Sequence, residues 1–351
     1  MEGKSLNRKW KLTLQVAATY IGTVVGAGFA TGKEIVQFFT QYGVLGMLGI
    51  LVSGLLFIWL GARMMIIAQN IGASSYQELN DHLFGKTIGK GINFFMILVL
   101  IGMTSIMLAS TGAIAKEHLG IWPQAGMLIT MIAVYLLILR GVQGLLLVNS
   151  LVVPAMLTFS LIVIWPYLRE FTMFKQDIFE NTSHTRWFVS AILYAAFNLA
   201  GAQAALVPLS TEIKDKSVVK WGAIIGGIGL TFMMFTTHFV ISHFPHAFQA
   251  EIPMGQVVKS SSIWLGWLFL LVVYGEIFTT LIANVFGMAR QAKGVLRISE
   301  KQCVGFVLIL CFVIGQIGYG RLLSILYPIF GYVGLGFLMM LAFHKNKIIS
   351  K

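Results

Sequence analysis

The chain has 351 residues, of which 57% are hydrophobic and only 11% are charged. Soluble proteins carry about 25% charged residues, so this composition excludes a soluble globular protein. The formal net charge is +12, but the lysines and arginines lie mainly in alternate loops, which indicates membrane orientation rather than nucleic-acid binding.

Apolar stretches of about 20 residues recur along the chain, and this is the length of a membrane-spanning helix. Transmembrane β-strands would be about 10 residues long and would alternate apolar and polar residues. We therefore predict an all-α integral membrane protein whose ten helices cross the lipid bilayer. The predicted ranges are 12–38, 43–68, 88–115, 124–140, 145–167, 187–212, 218–243, 262–289, 302–318 and 321–343.

The ten spans divide into two sets of five, residues 1–170 and residues 171–351. Each span of the first set has a counterpart of similar length and loop spacing about 175 residues later. Because five is an odd number, the second set enters the membrane in the opposite orientation. Such inverted repeats are an architecture of secondary transporters. A chance regularity of hydropathy is the alternative.

Basic residues fall unequally on the two sides of the predicted spans. With the N-terminus in the cytoplasm, about 18 of the 25 lysines and arginines lie inside. The positive-inside rule then predicts that both termini are cytoplasmic. The residues left outside are Lys33, Lys116, Arg169, Lys175, Arg186, Lys259 and Arg321.

The first span contains Gly22, Gly26, Gly28 and Gly32 within eleven residues. Each glycine costs roughly 1 kcal/mol relative to alanine inside a helix. An unwound backbone in a membrane is tolerated only where protein or a water-filled cavity satisfies its polar groups. We therefore predict that helix 1 is broken near Gly26 and contributes to a binding site. Close helix packing on small residues is the alternative.

The inverted repeat predicts a matching break in helix 6 near Gly201, where Asn198 and Gln203 interrupt an apolar stretch and Pro208 follows. At the first break, free N–H groups at residues 27–29 would suit a carboxylate. At the second, free carbonyls at residues 198–201 would suit an ammonium group. The two breaks together would hold a zwitterion.

Glu276 is the one carboxylate that we place deep in a predicted span. Thr279 and Thr280 follow it at i+3 and i+4, so the three side chains share one helical face. Two hydroxyls and a carboxylate are ligands that a hard cation such as Na⁺ prefers. Alternatively, Glu276 takes up a proton, or it is a structural acid bonded to a neighbouring helix.

Other polar residues carry a weaker signal. Lys33 and Glu34 adjoin the outer end of the first span and are interpreted as interfacial anchors, with a role in gating that span as the alternative. Ser75 and Glu78 fit a capping box that starts a short cytoplasmic helix, which Gly85 would end. Six amides and hydroxyls either line a cavity or bond between helices: Gln37, Asn149, Thr158, Asn198, Gln203 and Asn284.

The sequence contains no nucleotide-binding loop, no nucleophile elbow and no metal-ligand spacing of histidines. These features argue against an enzyme and against ATP-driven transport. We expect no cofactor other than a coupling ion, Na⁺ or H⁺. We expect a small-molecule substrate, no nucleic acid and no obligate protein partner.

Residues 20–35, 195–198 and 207–212 resemble the YkvI-like membrane proteins of Bacillus-type bacteria, and the resemblance covers essentially the whole chain. It implies membership of the amino acid–polyamine–organocation superfamily. It therefore implies the LeuT-type fold, in which two five-helix repeats are inverted and helices 1 and 6 are broken. It also implies a bacterial cytoplasmic membrane.

In that superfamily, the Gly-x-Gly of helix 1 binds the substrate carboxylate, and the resemblance gives this role to residues 26–28. Sodium-coupled members hold one Na⁺ between carbonyls of helix 1 and two hydroxyls of helix 8. Phe29 stands where neurotransmitter-sodium symporters have an asparagine, which argues against a second Na⁺ site. Residues 145–167 lack the lysine that some proton-coupled relatives carry. The implied site residues are Gly26, Ala27 and Gly28 for the substrate and Gly22, Val25, Thr279 and Thr280 for the ion.

Together these features predict a secondary transporter that carries a small amino acid or related solute with Na⁺ by alternating access. Spans 1, 2, 6 and 7 would rock against spans 3, 4, 8 and 9. Phe29, Phe197 and Met103 would give the solute site an apolar lining. The alternatives are proton coupling through Glu276 and a ligand receptor like the spore-germination permeases.

Overall fold

The computed structural model describes residues 2–169, 185–250, 252–259, 263–295 and 299–344. All regular structure in these ranges is helical. The helices are α1 (Glu2–Val24), α2 (Ala27–Ala30), α3 (Lys33–Phe38), α4 (Val44–Leu56), α5 (Ala62–Ile71), α6 (Tyr76–Phe84), α7 (Lys86–Leu119), α8 (Pro123–Ile138), α9 (Gly141–Ile164), α10 (Arg186–Glu212), α11 (Lys216–Ser242), α12 (Pro253–Lys259), α13 (Ile263–Val295), α14 (Glu300–Gly315) and α15 (Tyr319–Phe343). The all-α prediction is therefore confirmed.

Six helical stretches are long and apolar enough to cross a membrane: Val44–Ile71, Lys86–Lys116, Gln143–Leu168, Arg186–Glu212, Lys216–Ser242 and Trp264–Ala289. Three shorter apolar helices are Pro123–Ile138, Lys301–Gly315 and Phe330–Phe343. With the interrupted first span, these stretches cover the ten predicted ranges. The predicted boundary between the two halves, at residues 170 and 171, lies outside the described residues.

The helices pack as two groups with two flanking helices. The first group is α1, α4, α5, α10 and α11, in which α1 packs along α11 and α10 packs along α4 and α5. The second group is α7, α8, α13 and α14. Helix α9 lies against α1 and α13, and α15 lies against α10 and α7. This grouping agrees with the predicted division into spans 1, 2, 6 and 7 and spans 3, 4, 8 and 9.

Helix 1 is broken, as predicted. α1 ends at Val24, and Gly26 has an extended backbone with φ −129° and ψ −171°. α2 is a single turn, and a second interruption follows at Gly32, whose φ is +80°. That left-handed conformation favours glycine, because a side chain would meet the backbone there. The first span therefore consists of three helical pieces.

The predicted break in helix 6 is wrong. α10 runs without interruption from Arg186 to Glu212, through Gly201. Alanine is the best helix former, and six alanines surround the single glycine, namely Ala195, Ala196, Ala200, Ala202, Ala204 and Ala205. Asn198 donates its amide to the carbonyl of Tyr194 at 2.9 Å and so stays within its own helix. The carbonyls of residues 198–201 are part of this helix, so the ammonium site predicted there is also wrong.

Helix 2 contains a π-helical segment, Phe57–Gly61, between α4 and α5. A π-helical turn releases a carbonyl from the regular pattern, and Tyr20 Oη donates to the carbonyl of Phe57 at 2.9 Å. Gly61 leaves room for this ring, because a Cβ there would lie 2.1 Å from the Tyr20 hydroxyl. The contact ties the middle of α1 to the second span.

The short helix between spans 2 and 3 is α6. Its predicted N-cap, Ser75, is confirmed, but the Glu78 carboxylate bonds to Ser74 and does not complete a capping box with Ser75. Ser75 accepts a hydrogen bond from the Glu78 amide, and the Glu78 carboxylate accepts one from the Ser74 amide at 2.8 Å. Gly85 follows the helix with φ +79°.

Candidate functional site at the break of helix 1

The end of α1 presents backbone carbonyls to the middle of α13. Because Gly26 is extended, the helical bond from its amide to the carbonyl of Gly22 is not made. Thr279 donates its hydroxyl to that carbonyl at 2.9 Å. Thr280 donates to the carbonyl of Val25, and its hydroxyl also lies 3.3 Å from the Gly22 oxygen. The structure therefore brings together the four residues that the resemblance implied for an ion.

A fifth oxygen faces the same point from α9. The amide of Asn149 is fully buried, and its Nδ2 donates to the carbonyl of Leu145 at 2.8 Å. This bond fixes the orientation of the amide, since only the nitrogen donates. Its Oδ1 has no hydrogen-bond partner among the residues that the structure describes, and a Cβ built on Gly22 would lie 1.8 Å from it. The sequence alone identified Asn149 only as one of six polar residues that either line a cavity or bond between helices.

These five oxygens carry no formal charge. They are two main-chain carbonyls, two hydroxyls and one amide, and all five residues are buried. Within the described part of the chain, no three histidines, cysteines or acids group closely enough to hold a metal ion. A set of neutral oxygens suits a monovalent hard cation, whereas Ca²⁺ sites use several carboxylates.

The segment predicted to bind a substrate carboxylate lies against two side chains. The amide of Ala27 donates to Sδ of Met107 at 3.3 Å, and a Cβ on Gly26 would lie 3.0 Å from the end of that side chain. A thioether is a weak acceptor, so this amide holds a weak bond at the break. Gly28 lies against Glu34, because a Cβ there would be 2.2 Å from Oε1.

The other predicted solute residues lie partly in a separate apolar cluster. Phe197 stacks on Phe330 with ring centroids 6.1 Å apart, and Met103 belongs to the same cluster. Gly201 lies against Met103, whose sulfur would be 3.4 Å from an added Cβ. Gln203 is fully buried, and neither atom of its amide has a hydrogen-bond partner within the described residues.

Glu34 is not the interfacial anchor that the sequence suggested. Its exposed fraction is 3%, because the two interruptions of helix 1 return its side chain towards Gly28. The carboxyl is close enough to interact electrostatically with Tyr194 of α10 and Glu276 of α13. Glu276 is equally buried, and its Oε2 has no hydrogen-bond partner in the described part of the chain. The break of helix 1 thus lies beside two acidic side chains, of which sequence reasoning found one.

A narrow cavity adjoins Glu276. Glu276, Phe29 and Ala30 line it together with hydroxyls of α9 and α11. The rest of the lining is mainly apolar: Phe159, Val163, Met233, Val240, Met254, Phe269, Val272 and Val273. The cavity can therefore take a small apolar group next to a carboxyl.

The segment before α13 covers the outer side of the break. The amide of Met254 donates to the carbonyl of Thr31 at 3.0 Å. Lys33 donates its ammonium group to the carbonyl of Ala250 at 2.8 Å. The positive charge next to Glu34 in the sequence is thus directed to the covering segment.

A family profile described as spore germination protein matches residues 12–319. The chain belongs to the spore germination protein family. The chain is also similar to the membrane protein YkvI of Bacillus subtilis (strain 168), with 44% identity over 326 residues that cover 92% of this chain and 93% of that protein. The resemblance seen in the sequence is therefore confirmed.

Two solved structures show the fold of this spore germination family member. It is similar to MhsT in complex with L-phenylalanine, with a TM-score of 0.72, 16% identity, and coverage of 94% of this chain and 88% of that chain. It is also similar to a Na⁺-coupled sialic acid symporter in a substrate-bound outward-open state, with a TM-score of 0.68, 11% identity, and coverage of 95% and 79%. The LeuT-type arrangement of helices predicted for the chain is confirmed, although helix 6 is continuous in this protein.

Proposed function

We propose that this protein is a secondary transporter that couples the movement of a small amine or amino acid to Na⁺. The observation that carries the proposal is the group of five oxygens from Gly22, Val25, Asn149, Thr279 and Thr280. They come from three helices and meet where helix 1 is interrupted. The Na⁺ coupling named for the sialic acid symporter of the same fold supports the choice of ion.

The backbone of helix 1 directly connects the proposed ion site to the proposed solute site. The carbonyl of Gly22 belongs to the last turn of α1, that of Val25 follows the helix directly, and the amide of Ala27 lies just beyond the break. A cation between α1 and α13 would replace the hydroxyl bonds that now join these helices and would fix the spacing of the two helix groups. A ligand that prefers one arrangement of a protein shifts the population towards it. Na⁺ would in this way favour one orientation of the break.

The first test is the stabilisation of the purified protein by Na⁺. Ion binding to the folded state raises apparent stability by mass action, so Na⁺ should raise the melting temperature relative to choline at equal ionic strength. The double variant Thr279→Ala/Thr280→Ala should abolish this Na⁺-dependent increase. Thr111→Ala is the matched control, because its buried hydroxyl bonds to Leu108 in its own helix.

An unchanged Na⁺-dependent shift in the double variant would place the ion elsewhere. Equal stabilisation of the natural chain by Na⁺ and choline would contradict the proposal that the protein binds Na⁺. Uptake by proteoliposomes with and without a Na⁺ gradient then tests coupling directly.

A ligand receptor is the second candidate, and the family itself favours it. The description of the matching family refers to spore germination, in which a ligand is sensed. The same break and cavity would bind the ligand in either case. Proteoliposomes distinguish the two, since a receptor binds a ligand that it does not accumulate and a transporter accumulates it against a gradient.

A further inference from the structure

Three basic side chains meet where the last helix ends, and they form a basic cluster. They are Arg63 of α5, His82 of α6 and His344, which directly follows α15. The rings of His82 and His344 have their centroids 4.9 Å apart. Arg63 donates from Nε to the carbonyl of Leu341 at 2.8 Å and from Nη2 to the carbonyl of His344. These contacts hold three basic groups from three segments of the chain together.

The acids nearest to the basic cluster in the sequence are bonded to other residues. Glu78 lies one turn before His82, and its carboxylate accepts bonds from the amide and the hydroxyl of Ser74 at 2.8 and 2.9 Å. Asp81 accepts a bond from Nδ2 of Asn93 at 3.0 Å. Among the described residues, none of the three basic side chains forms an ion pair with an acid. The positive charge of the cluster is therefore available to an anionic ligand.

The basic groups act on one another electrostatically. Partial burial lowers the pKa of His344, and the neighbouring His82 and Arg63 lower it further. An anion held between the three groups would raise this pKa, because it favours the charged imidazolium. Lys345 and Lys347 follow in the sequence and lie outside the described residues. They add to the positive charge at this end of the chain.

An exposed apolar face of α15 leads to the basic cluster. Tyr332, Met339 and Phe343 are spaced by seven and four residues, so they lie on one face of the helix. All three are exposed, and Phe343, directly before His344, is exposed to 79%. Because Phe330–Phe343 is an apolar helix of a membrane protein, this face suits contact with lipid acyl chains. A charged group and an apolar surface thus adjoin each other, as the two parts of a phospholipid do.

We propose that Arg63, His82 and His344 bind the phosphate of an anionic phospholipid whose acyl chains lie along the exposed face of α15. Basic pockets between transmembrane helices on the cytoplasmic side bind the headgroups of such lipids. The distribution of basic residues predicts that this end of α15 is cytoplasmic. Imidazolium and guanidinium groups supply N–H donors, and phosphate oxygens accept them. The site goes beyond the proposed function, because it shares no residue with the ion and solute sites.

Lipid selectivity tests the site on the full-length protein. Phosphatidylglycerol is compared with phosphatidylcholine of the same acyl chains, and the bound lipid is counted by native mass spectrometry. We expect phosphatidylglycerol to be retained preferentially. Its affinity should be higher at about pH 6 than at about pH 8, since the usual pKa of histidine is about 6.5. Protonated histidines favour the bound anion, so this part of the affinity is lost as the pH rises through their pKa.

Histidine variants separate this site from the general attraction of a basic protein for anionic lipid. His82→Gln/His344→Gln should weaken phosphatidylglycerol binding at about pH 6 about fivefold, the effect of one basic side chain at an anionic membrane surface, and should remove the pH dependence. His82→Lys keeps a positive charge and should retain tight binding at both pH values. His246→Gln is the matched control, because His246 is an exposed histidine next to the ring of Phe244, in the segment after α11.

Three results would overturn the inference. They are equal retention of the two lipids, unchanged affinity and pH dependence in the double histidine variant, and a melting temperature that inorganic phosphate raises as much as phosphatidylglycerol does. The last result would assign the basic cluster to a soluble anion. His82 is exposed and His344 is half-buried, so the variants should keep the natural melting temperature in phosphatidylcholine. They should also keep the Na⁺-dependent shift, so failure here leaves the proposed function unaffected.

Discussion

The oxygens that lie against Gly22 and Gly28 explain why these two positions are occupied by glycine. A Cβ on Gly22 would lie 1.8 Å from Oδ1 of Asn149, and one on Gly28 would lie 2.2 Å from Oε1 of Glu34. Neither residue has a positive φ, so backbone freedom is not the reason for glycine at either position. The missing side chains allow an amide oxygen and a carboxyl to approach the backbone at the break.

Asn149 gives a prediction at the level of a single residue. Asn149→Leu keeps the approximate volume and removes the oxygen, so Na⁺ should bind about tenfold more weakly, a change of about 1.4 kcal/mol. The Na⁺ dependence of the melting temperature measures this change. Ser150→Ala is the control, because the adjacent hydroxyl bonds to Leu146 in its own helix. An unchanged Na⁺ affinity in Asn149→Leu would show that the amide of Asn149 is not a ligand of the ion.

Helices 1 and 6 show where a glycine breaks a helix and where it does not. In helix 1 the glycines recur at residues 22, 26, 28 and 32, and the chain leaves the helix at two of them. In helix 6 a single glycine stands among alanines, and the helix continues. The inverted repeat therefore did not predict the local geometry. The residues that surround each glycine in the sequence decide whether the helix continues or is interrupted.

Gly201→Ala tests the continuity of helix 6. An added Cβ would meet Met103 at 3.4 Å, an ordinary contact, and alanine favours a helix by roughly 1 kcal/mol over glycine. The variant should keep or raise the melting temperature of the purified protein. Gly26→Ala is the comparison, because its Cβ would lie 3.0 Å from Met107 and should lower it. A marked loss of stability in Gly201→Ala would indicate that helix 6 needs a glycine for a break.

Much of the helix arrangement and of the oxygen group could be predicted from the sequence. The spans follow from apolar length, and the pairing of Thr279 and Thr280 with helix 1 follows from helical spacing and the family resemblance. The position of Glu34 could not be predicted in this way. A continuous helix would carry it to the outer end of the span, and the direction of the chain after two interruptions depends on Gly32 and on its packing partners. The contact of Met107 with the amide of Ala27 could not be predicted either, because the two residues are 80 positions apart in the sequence.

At the level of the whole molecule, helix 1 is attached to the second half of the chain at both ends. Lys9 pairs with Asp215 at 2.8 Å, just before α11. At the other end Lys33 and Thr31 bond to residues 250 and 254. In the alternating-access cycle of the proposed transporter, these two attachments would open at different times. The end with Lys9 is the one that the distribution of basic residues predicts to be cytoplasmic.

The pairing of Lys9 and Asp215 predicts a dependence on pH. The hydrogen bond from Lys9 lowers the pKa of the Asp215 carboxyl, so the pairing contributes above the usual carboxyl pKa and is lost as the pH falls through the lowered value. Both side chains are partly exposed, so the effect on global stability is small. Asp215→Asn should lower the protection factors against amide hydrogen exchange in the first turns of α1 at neutral pH, and acid should lower these protection factors in the natural chain. Equal exchange in both proteins at neutral pH would contradict this attachment.

The single turn of α2 limits how much of the protein must change for the site to change. Three backbone bonds hold the turn: Ala30 to Gly26, Thr31 to Ala27, and Gly32 to Phe29. An extended residue precedes it, and a left-handed residue follows it. The turn can therefore rotate or unwind while α1 and α3 keep their own hydrogen bonds. Reshaping the site then requires the loss of a few backbone bonds and the repacking of the buried side chains that the turn itself carries, Ala27 and Phe29.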